Sequence, residues 1–458
     1  MKGYDEYKET KHPFLDSIPS HWSDVLFKHI TTPKSIQNNK GEELLSVFLN
    51  KGVVRYSDTT QKQVHKPSED MSKYQLVEPR DVVLNNQQAW RGSVGVSKYR
   101  GIVSPAYLVY SLSDSINSRF MNYLIRDSST VSQFVVASKG VGSIQRNISV
   151  PLLKNVILPI PTWEEQVQIA RFLDWKVSDV NRFIASKRKE IKLLEELKKS
   201  VIYKVVSHGL TPNVAMKPCE LSWGESIPIS WKEVKLKRVL TKLQRPYSPE
   251  DEMLICSNNG TVFPRGDKRI GLIAIGDNGC QGVREGDLLI HGMDTWHGAI
   301  AVSEYNGKCT TVVHVCDSSQ NKRFIAYYLR MLAFRKLYKA ISNGVRQNTS
   351  DFRSWSKAGE IVIALPPLDE QNAIADYLDA RCSEIDQMIE ALQKEIFHMI
   401  EYRTRMISDV VTGKVDVRGI EVPIPEYEIE SDPIDEDNDN EEEPENTDEM
   451  EVIENVSD

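Results

Sequence analysis

The sequence predicts a mixed α/β or α+β chain of two pseudo-symmetric globules linked by two long antiparallel coiled-coil helices. Three observations carry this. Motifs recur in order with a spacing near 205 residues; the first part of each copy holds short β-branched runs broken by turn residues; and the second part of each copy holds a heptad seam. A period that long does not describe a solenoid and indicates a tandem duplication.

The repeat fixes the order of elements. Ile18, Pro19 and Trp22 of IPSHW return as Ile227, Pro228 and Trp231 of IPISW. Downstream, Asp81, Trp90, Gly92 and Ser97 match Asp287, Trp296, Gly298 and Ser303, and NSRFMNYLIR matches NKRFIAYYLR. The Gly140-Val141 pair matches Gly344-Val345, and PTWEEQVQIARFLD matches PPLDEQNAIADYLD. Runs such as DVVLN, YLVYSL, NVILPIP, DLLIHG and EIVIALP read as strands, and stretches around 118–137 and 321–341 read as helices.

Stepping alternately by three and four, Val177, Val180, Ile184, Lys187, Ile191, Leu194, Lys198, Val201 and Val205 form an apolar seam with two lysines. Cys382, Ile385, Ile389, Leu392, Ile396, Met399, Arg403, Met406 and Val410 repeat it. No Pro or Gly interrupts 162–207 or 368–412, and about 30 heptad residues at 1.5 Å rise span roughly 45 Å. A single helix cannot bury such a stripe, so the two are expected to pair; two independent helical hairpins, each on its own globule, are the alternative. The expected organisation is an N-terminal segment 1–22, a globule 23–160, a long helix 161–207, a linker 208–231, a globule 232–365, a long helix 366–413, a closing segment 414–425 and a disordered acidic tail 426–458.

At 458 residues, 40% hydrophobic and 27% charged, the chain is long enough for several folded domains. No apolar run suits a membrane span and no signal peptide opens the chain, so a cytoplasmic location is expected. Cys219, Cys256, Cys280, Cys309, Cys316 and Cys382 form no C-x-x-C pair and read as reduced, with no metal. The net charge of -8 conceals a basic body. Residues 426–458 hold 17 acids and no Lys or Arg, which leaves 57 basic against 48 acidic residues elsewhere. Residues 23–160 carry 17 basic against 10 acidic side chains and residues 232–365 carry 20 against 13, so each globule has the same excess. Two equally basic globules suit one polyanion.

Catalytic motifs are missing. The sequence holds no G-x-G-x-x-G after a strand, phosphate-binding loop, G-x-S-x-G, H-E-x-x-H or amino-methyltransferase Asn/Asp-Pro-Pro-aromatic tetrapeptide. Glu190 with Lys192, or Glu233 with Lys235, makes no nuclease pair, and His291, Asp294 and His297 fit no common metal spacing. The polar loops instead suit base reading, because Asn and Gln pair bidentately with adenine and Arg with guanine. Asn85, Asn86, Gln87, Gln88 and Arg91 in the first copy stand where His291, Asp294 and His297 stand in the second, with different hydrogen-bonding groups. Lys139, Gln145, Arg146 and Asn147 surround the first Gly-Val pair, and Arg346, Gln347 and Asn348 follow the second. Trp90 and Trp296 are expected to pack beneath their loops.

Taken together, the paired IP-x-x-W entries, the P-x-x-E/D-E-Q openings at Pro161 to Gln166 and Pro366 to Gln371, the I-A-x-F/Y-L-D continuations, the heptads and the closing VVSHG and VVTGKVDV resemble the specificity subunit of a Type I restriction-modification enzyme. The resemblance covers residues from about 15 to 420. It implies two target-recognition domains, each reading one half of an asymmetric bipartite site in double-stranded DNA. It also implies long helices that set their separation and dock two methyltransferase subunits, to which two restriction/translocase subunits add. S-adenosylmethionine, ATP and Mg then belong to the partners, and this chain is a non-catalytic subunit with no cofactor of its own. VVSHGL departs from the VTGK form of the second copy, and the acidic tail lies outside the resemblance. A specificity subunit of another multi-subunit restriction-methylation enzyme, or a non-enzymatic coiled-coil DNA-binding scaffold, is the alternative. A fused enzyme lacks its motifs here, and a pure scaffold has no need of two basic globules.

Overall fold

The runs VVLN and LLIH are apolar at three consecutive positions, which suits strands covered on both faces. Each forms an inner strand of a four-stranded antiparallel sheet. The first sheet runs in the order Thr31–Lys34, Tyr107–Leu112, Val82–Asn85, Val94–Val96, and the second in the order Thr241–Leu243, Val313–Asp317, Leu288–His291, Ile300–Val302. Both belong to a computed structural model that describes residues 2–39, 41–49, 51–58, 68, 70–141, 145–221, 224, 226–266, 279–338, 352 and 354–423.

The chain divides into two compact units, residues 1–187 with 395–458 and residues 188–394. Shorter antiparallel pairs complete each one. In the first unit, Leu45–Phe48 pairs Gly52–Arg55 and Ser23–Leu26 pairs Ile157–Ile160; in the second, Leu254–Cys256 pairs Val262–Pro264 and Lys232–Lys235 pairs Val362–Leu365. None of the six cysteines forms a disulfide, and burial pushes the Cys256, Cys309 and Cys316 thiols up to about 12. Among the described residues no helix is long and apolar enough to cross a membrane.

The helical stretch expected at 118–137 is two helices. Ser118–Leu124 ends near Asp127, whose carboxyl accepts from the Ser129 amide and caps Ser128–Val136. Its counterpart in the second unit, Lys322–Phe334, runs unbroken.

The long helices are Trp163–His208 and Leu368–Val411, and each unit takes one half of both. In the first unit Val177, Val180, Ile184, Met406 and Val410 are buried, with Ile396 and Met399 half-buried. In the second, Val205, Cys382, Ile385 and Leu392 are buried, with Ile191, Leu194, Val201 and Ile389 half-buried. No seam position is exposed. The polar seam residues find partners across the pair. Arg403 donates to Asn181 at 2.5 Å and Lys187 lies 3.2 Å from Glu395 in the first unit, while Lys198 meets Asp386 at 2.6 Å in the second. In the first unit the partner falls from 403 to 395 as the position rises from 181 to 187, and in the second Lys198 meets Asp386 while Gly209 lies beside Glu370, so the halves within each unit pack antiparallel.

The repeated motifs hold each helix to its globule. Trp22 and Trp231 are fully buried and donate through Nε1 to Glu165 and Glu370, both at 3.1 Å. The next residue, Gln166 or Gln371, accepts from the amide of Asn117 or Asn321 at 2.8 and 2.9 Å and donates to the Pro161 or Pro366 carbonyl. Those asparagines cap Ser118–Leu124 and Lys322–Phe334. Farther along the helices, Asp174 and Asp379 each pair with an arginine and a tyrosine, Arg119 with Tyr123 and Arg323 with Tyr327. The closing segment completes the first unit: the Asp416 amide donates to the Lys2 carbonyl at 3.0 Å, and Gln168 donates to the Val417 and Ile420 carbonyls.

Candidate nucleic-acid interface

In each unit the candidate loop leaves the end of an inner strand, passes through one 3-10 turn and closes on a glycine. The turns are Ala89–Arg91 and Thr295–His297, and the glycines are Gly92 and Gly298, with φ of 104° and 90°. That left-handed backbone strains any residue with a Cβ, which accounts for the matched glycines.

The first loop divides its polar side chains by task. Asn85 accepts from the Gln87 amide at 3.0 Å, and Asn86 accepts from the Ile148 amide at 3.1 Å. Both therefore hold shape. Gln87 and Arg91 are exposed and Gln88 is half-buried. Asn86 draws in the hairpin of Ser138–Val141 and Gln145–Ile148, where Lys139 pairs across from Asn147 and both are exposed. Adjacent strand positions point to opposite faces, so Arg146 turns the other way and lies 5.5 Å from the Trp90 ring centroid. Arg91 lies 4.8 Å from the same ring, and the Trp90 Nε1 donates to the Gln87 carbonyl at 2.8 Å. The half-buried indole thus supports two guanidinium groups 55 residues apart in sequence. Gln145 is described only in its strand position.

The second loop is built differently. The His291 Nδ1 accepts from the Asp294 amide at 3.0 Å and lies 3.2 Å from its carboxyl, while Thr295 donates to the His291 carbonyl. His291 is thus a loop-holding residue, and His297 is exposed. Trp296 packs against the core of its unit. Arg346, Gln347 and Asn348 lie outside the described residues, as does the tail 426–458.

Burial lowers the pKa of His291, partly offset by Asp294, and lowers that of His314, which is fully buried on the neighbouring strand. It does the same to His12 in the first unit. A histidine depressed on folding binds its proton better when unfolded, so its stability contribution is complete above about pH 6.5 and is lost as pH falls toward the folded value. Thermal unfolding midpoints are therefore expected to drop between pH 7 and pH 5. A midpoint that holds level or rises over that range contradicts this.

The first copy of the repeat matches the family described as Type I restriction modification DNA specificity domain, over residues 29–209. Two curated proteins of Methanocaldococcus jannaschii align over most of the chain. The putative MjaX type I restriction enzyme specificity subunit is 26% identical over 377 residues, covering 76% of this chain and 81% of its own length. The MjaVIII specificity subunit is 24% identical over 382 residues, covering 76% and 84%. A solved structure described as "Structural basis underlying complex assembly and conformational transition of the type I R-M system" shares the fold, with a TM-score of 0.63 at 16% identity, covering 87% of this chain and 99% of that one.

Proposed function

Since this chain is a specificity subunit of the Type I restriction-modification family, we propose that its two units each read one half of an asymmetric bipartite site in double-stranded DNA. The observation that carries this is the pair of loops at one repeat position with unlike chemistry: Gln87, Arg91 and Arg146 around Trp90 in one unit, His297 and Asp294 in the other. One fold reading one sequence twice has no need to diverge there. The equal basic excess of the two globules supplies phosphate affinity without sequence preference.

The same reading gives the long helices a docking task. Off the seam, Leu193 is 62% and Phe397 59% exposed, and Phe183, Leu197 and Met388 are exposed as well. Apolar side chains that face water beside a satisfied seam mark an interaction surface on the helices of each unit, Phe183 and Phe397 in the first and Leu193, Leu197 and Met388 in the second. Two methyltransferase subunits occupy these surfaces, and restriction/translocase subunits join them. Those partners bring S-adenosylmethionine, ATP and Mg, and this chain works in the cytoplasm as their non-catalytic DNA-recognition subunit.

Co-expression with a methyltransferase subunit tests the docking. A complex larger than the single chain is expected by light scattering. Leu193→Gln with Leu197→Gln is expected to weaken it at least tenfold while leaving the melting midpoint within a few degrees, since both side chains are exposed. A complex untouched by these changes and by Phe397→Gln contradicts this use of the helices.

A further inference from the structure

The first unit carries a cavity of about 490 Å³, formed where the turn Phe27–Ile30 meets the edge strand Thr31–Lys34 and the residue that follows Val150–Leu153. Its lining includes Lys28, His29, Thr32, Pro33, Tyr110 and Lys154. Lys28, His29 and Lys154 are exposed and make no ion pair among the described residues. Tyr110 is only 4% exposed, and its hydroxyl has no hydrogen-bond partner among the described residues. The hydroxyl is not a buried polar atom without a partner, so it reaches solvent, and Tyr110 lines the cavity beside the two lysines.

At the equivalent place in the second unit the lysines are already ion-paired. Backbone bonds align the two: the Lys28 amide donates to the Lys154 carbonyl as the Lys237 amide does to that of Gly359. There Lys235 and Lys237 both clasp Glu360, whose carboxyl is held down at about 2 by those two ammonium groups. Gly359 replaces the second lysine. Cys316 takes the sheet position of Tyr110, facing Leu288 as Tyr110 faces Val82. Arg238 remains in the place of His29. In the second copy both lysines are thus held by one carboxylate, whereas in the first Lys28 and Lys154 make no such pair among the described residues and are available to an anion.

We propose that the Lys28, Lys154 and Tyr110 cavity binds a phosphate group of the DNA backbone, giving the first unit a sequence-independent contact that its counterpart does not make. The inference rests on the DNA-binding reading above and adds a residue-level contact outside the candidate loops. Lys28 and Lys154 supply ammonium donors, His29 and Thr32 further donors at the rim, and the Tyr110 hydroxyl a donor from the wall. None of these groups reads a base edge, so the contact strengthens binding without choosing sequence. Lys154 also follows the hairpin that carries Lys139 and Asn147 by a single helical turn, which puts the cavity next in the chain to the candidate reading elements.

The test is equilibrium binding of the full-length chain, in complex with its methyltransferase, to its own duplex and to an unrelated duplex between 50 and 200 mM salt. For Lys28→Ala with Lys154→Ala, both affinities are expected to fall by a similar factor, about tenfold. The slope of log affinity against log salt should become shallower by about 1 to 2. Tyr110→Phe keeps the buried ring and is expected to weaken both duplexes several-fold. Lys237→Ala is expected to change neither slope nor ratio. Inorganic phosphate, exchanged for chloride at fixed ionic strength, is the second probe. Variants that lose a response to phosphate yet keep full DNA affinity would place a free anion in the cavity and overturn the proposal. So would an unchanged salt slope, or an equal loss from Lys237→Ala. Absence of specific binding by the unaltered complex would instead overturn the DNA-binding reading itself.

Discussion

Glu165→Ala is expected to lower the unfolding free energy of the first unit by about 3–5 kcal/mol, read as an early transition in denaturant. The Glu165 carboxyl is buried and accepts from three groups of the N-terminal segment: the Tyr4 hydroxyl at 2.5 Å, the Trp22 Nε1 at 3.1 Å and the His21 Nε2 at 2.7 Å. Burial and this carboxyl together hold the Tyr4 hydroxyl far above its ordinary range. Truncation leaves a fully buried indole N–H and a mostly buried phenol with no acceptor, and such groups keep their full desolvation cost. Glu370→Ala removes an acceptor from Trp231 on a half-buried carboxyl, so a smaller loss of about 1–3 kcal/mol is expected in the second unit. Equal losses in the two units would contradict the view that the N-terminal and closing segments make the first lock the stronger one.

The other large effect concerns discrimination. Changing Gln87, Gln88 and Arg91 to Ala is expected to relax one half-site only, by about 1–3 kcal/mol for each bidentate base pairing removed. Trp90→Ala should relax the same half, because the indole supports both Arg91 and Arg146. In the second unit His297→Ala is the cleaner change. Replacing His291 also removes the acceptor that holds the Asp294 amide, and so alters loop shape along with chemistry. Competition binding against duplexes varied in one half at a time measures each effect. Equal relaxation of both halves by a first-unit variant is the contrary result.

Much of the architecture could be read from the residues, because each signal was local or periodic. Seam positions spaced by three and four all prove at least half-buried, and the matched Trp, Glu, Gln and Asp residues prove to be the groups that bind each helix to its globule. Asp127 shows where periodicity misleads: apolar spacing continues through 118–137, but a capping carboxylate starts a second helix. Sites assembled from distant segments stayed hidden. Nothing local links Arg146 to Trp90 until Asn86 accepts from the Ile148 amide, or Lys28 to Lys154 until Ser23–Leu26 pairs with Ile157–Ile160. The loops also mix residues that hold shape with residues that project, as Asn85 and Gln87 do two positions apart, and only hydrogen-bond partners separate them.

Sequencing methylated bases in DNA from cells that carry this chain with its methyltransferase tests the central claim most directly. The comparison includes a chain lengthened by four residues in each long helix, about 6 Å at 1.5 Å per residue. A motif of two unlike halves around a fixed spacer is expected, with the lengthened chain changing the spacer and neither half. A continuous motif, or a half-site whose sequence changes with helix length, would contradict two readers held apart by a ruler.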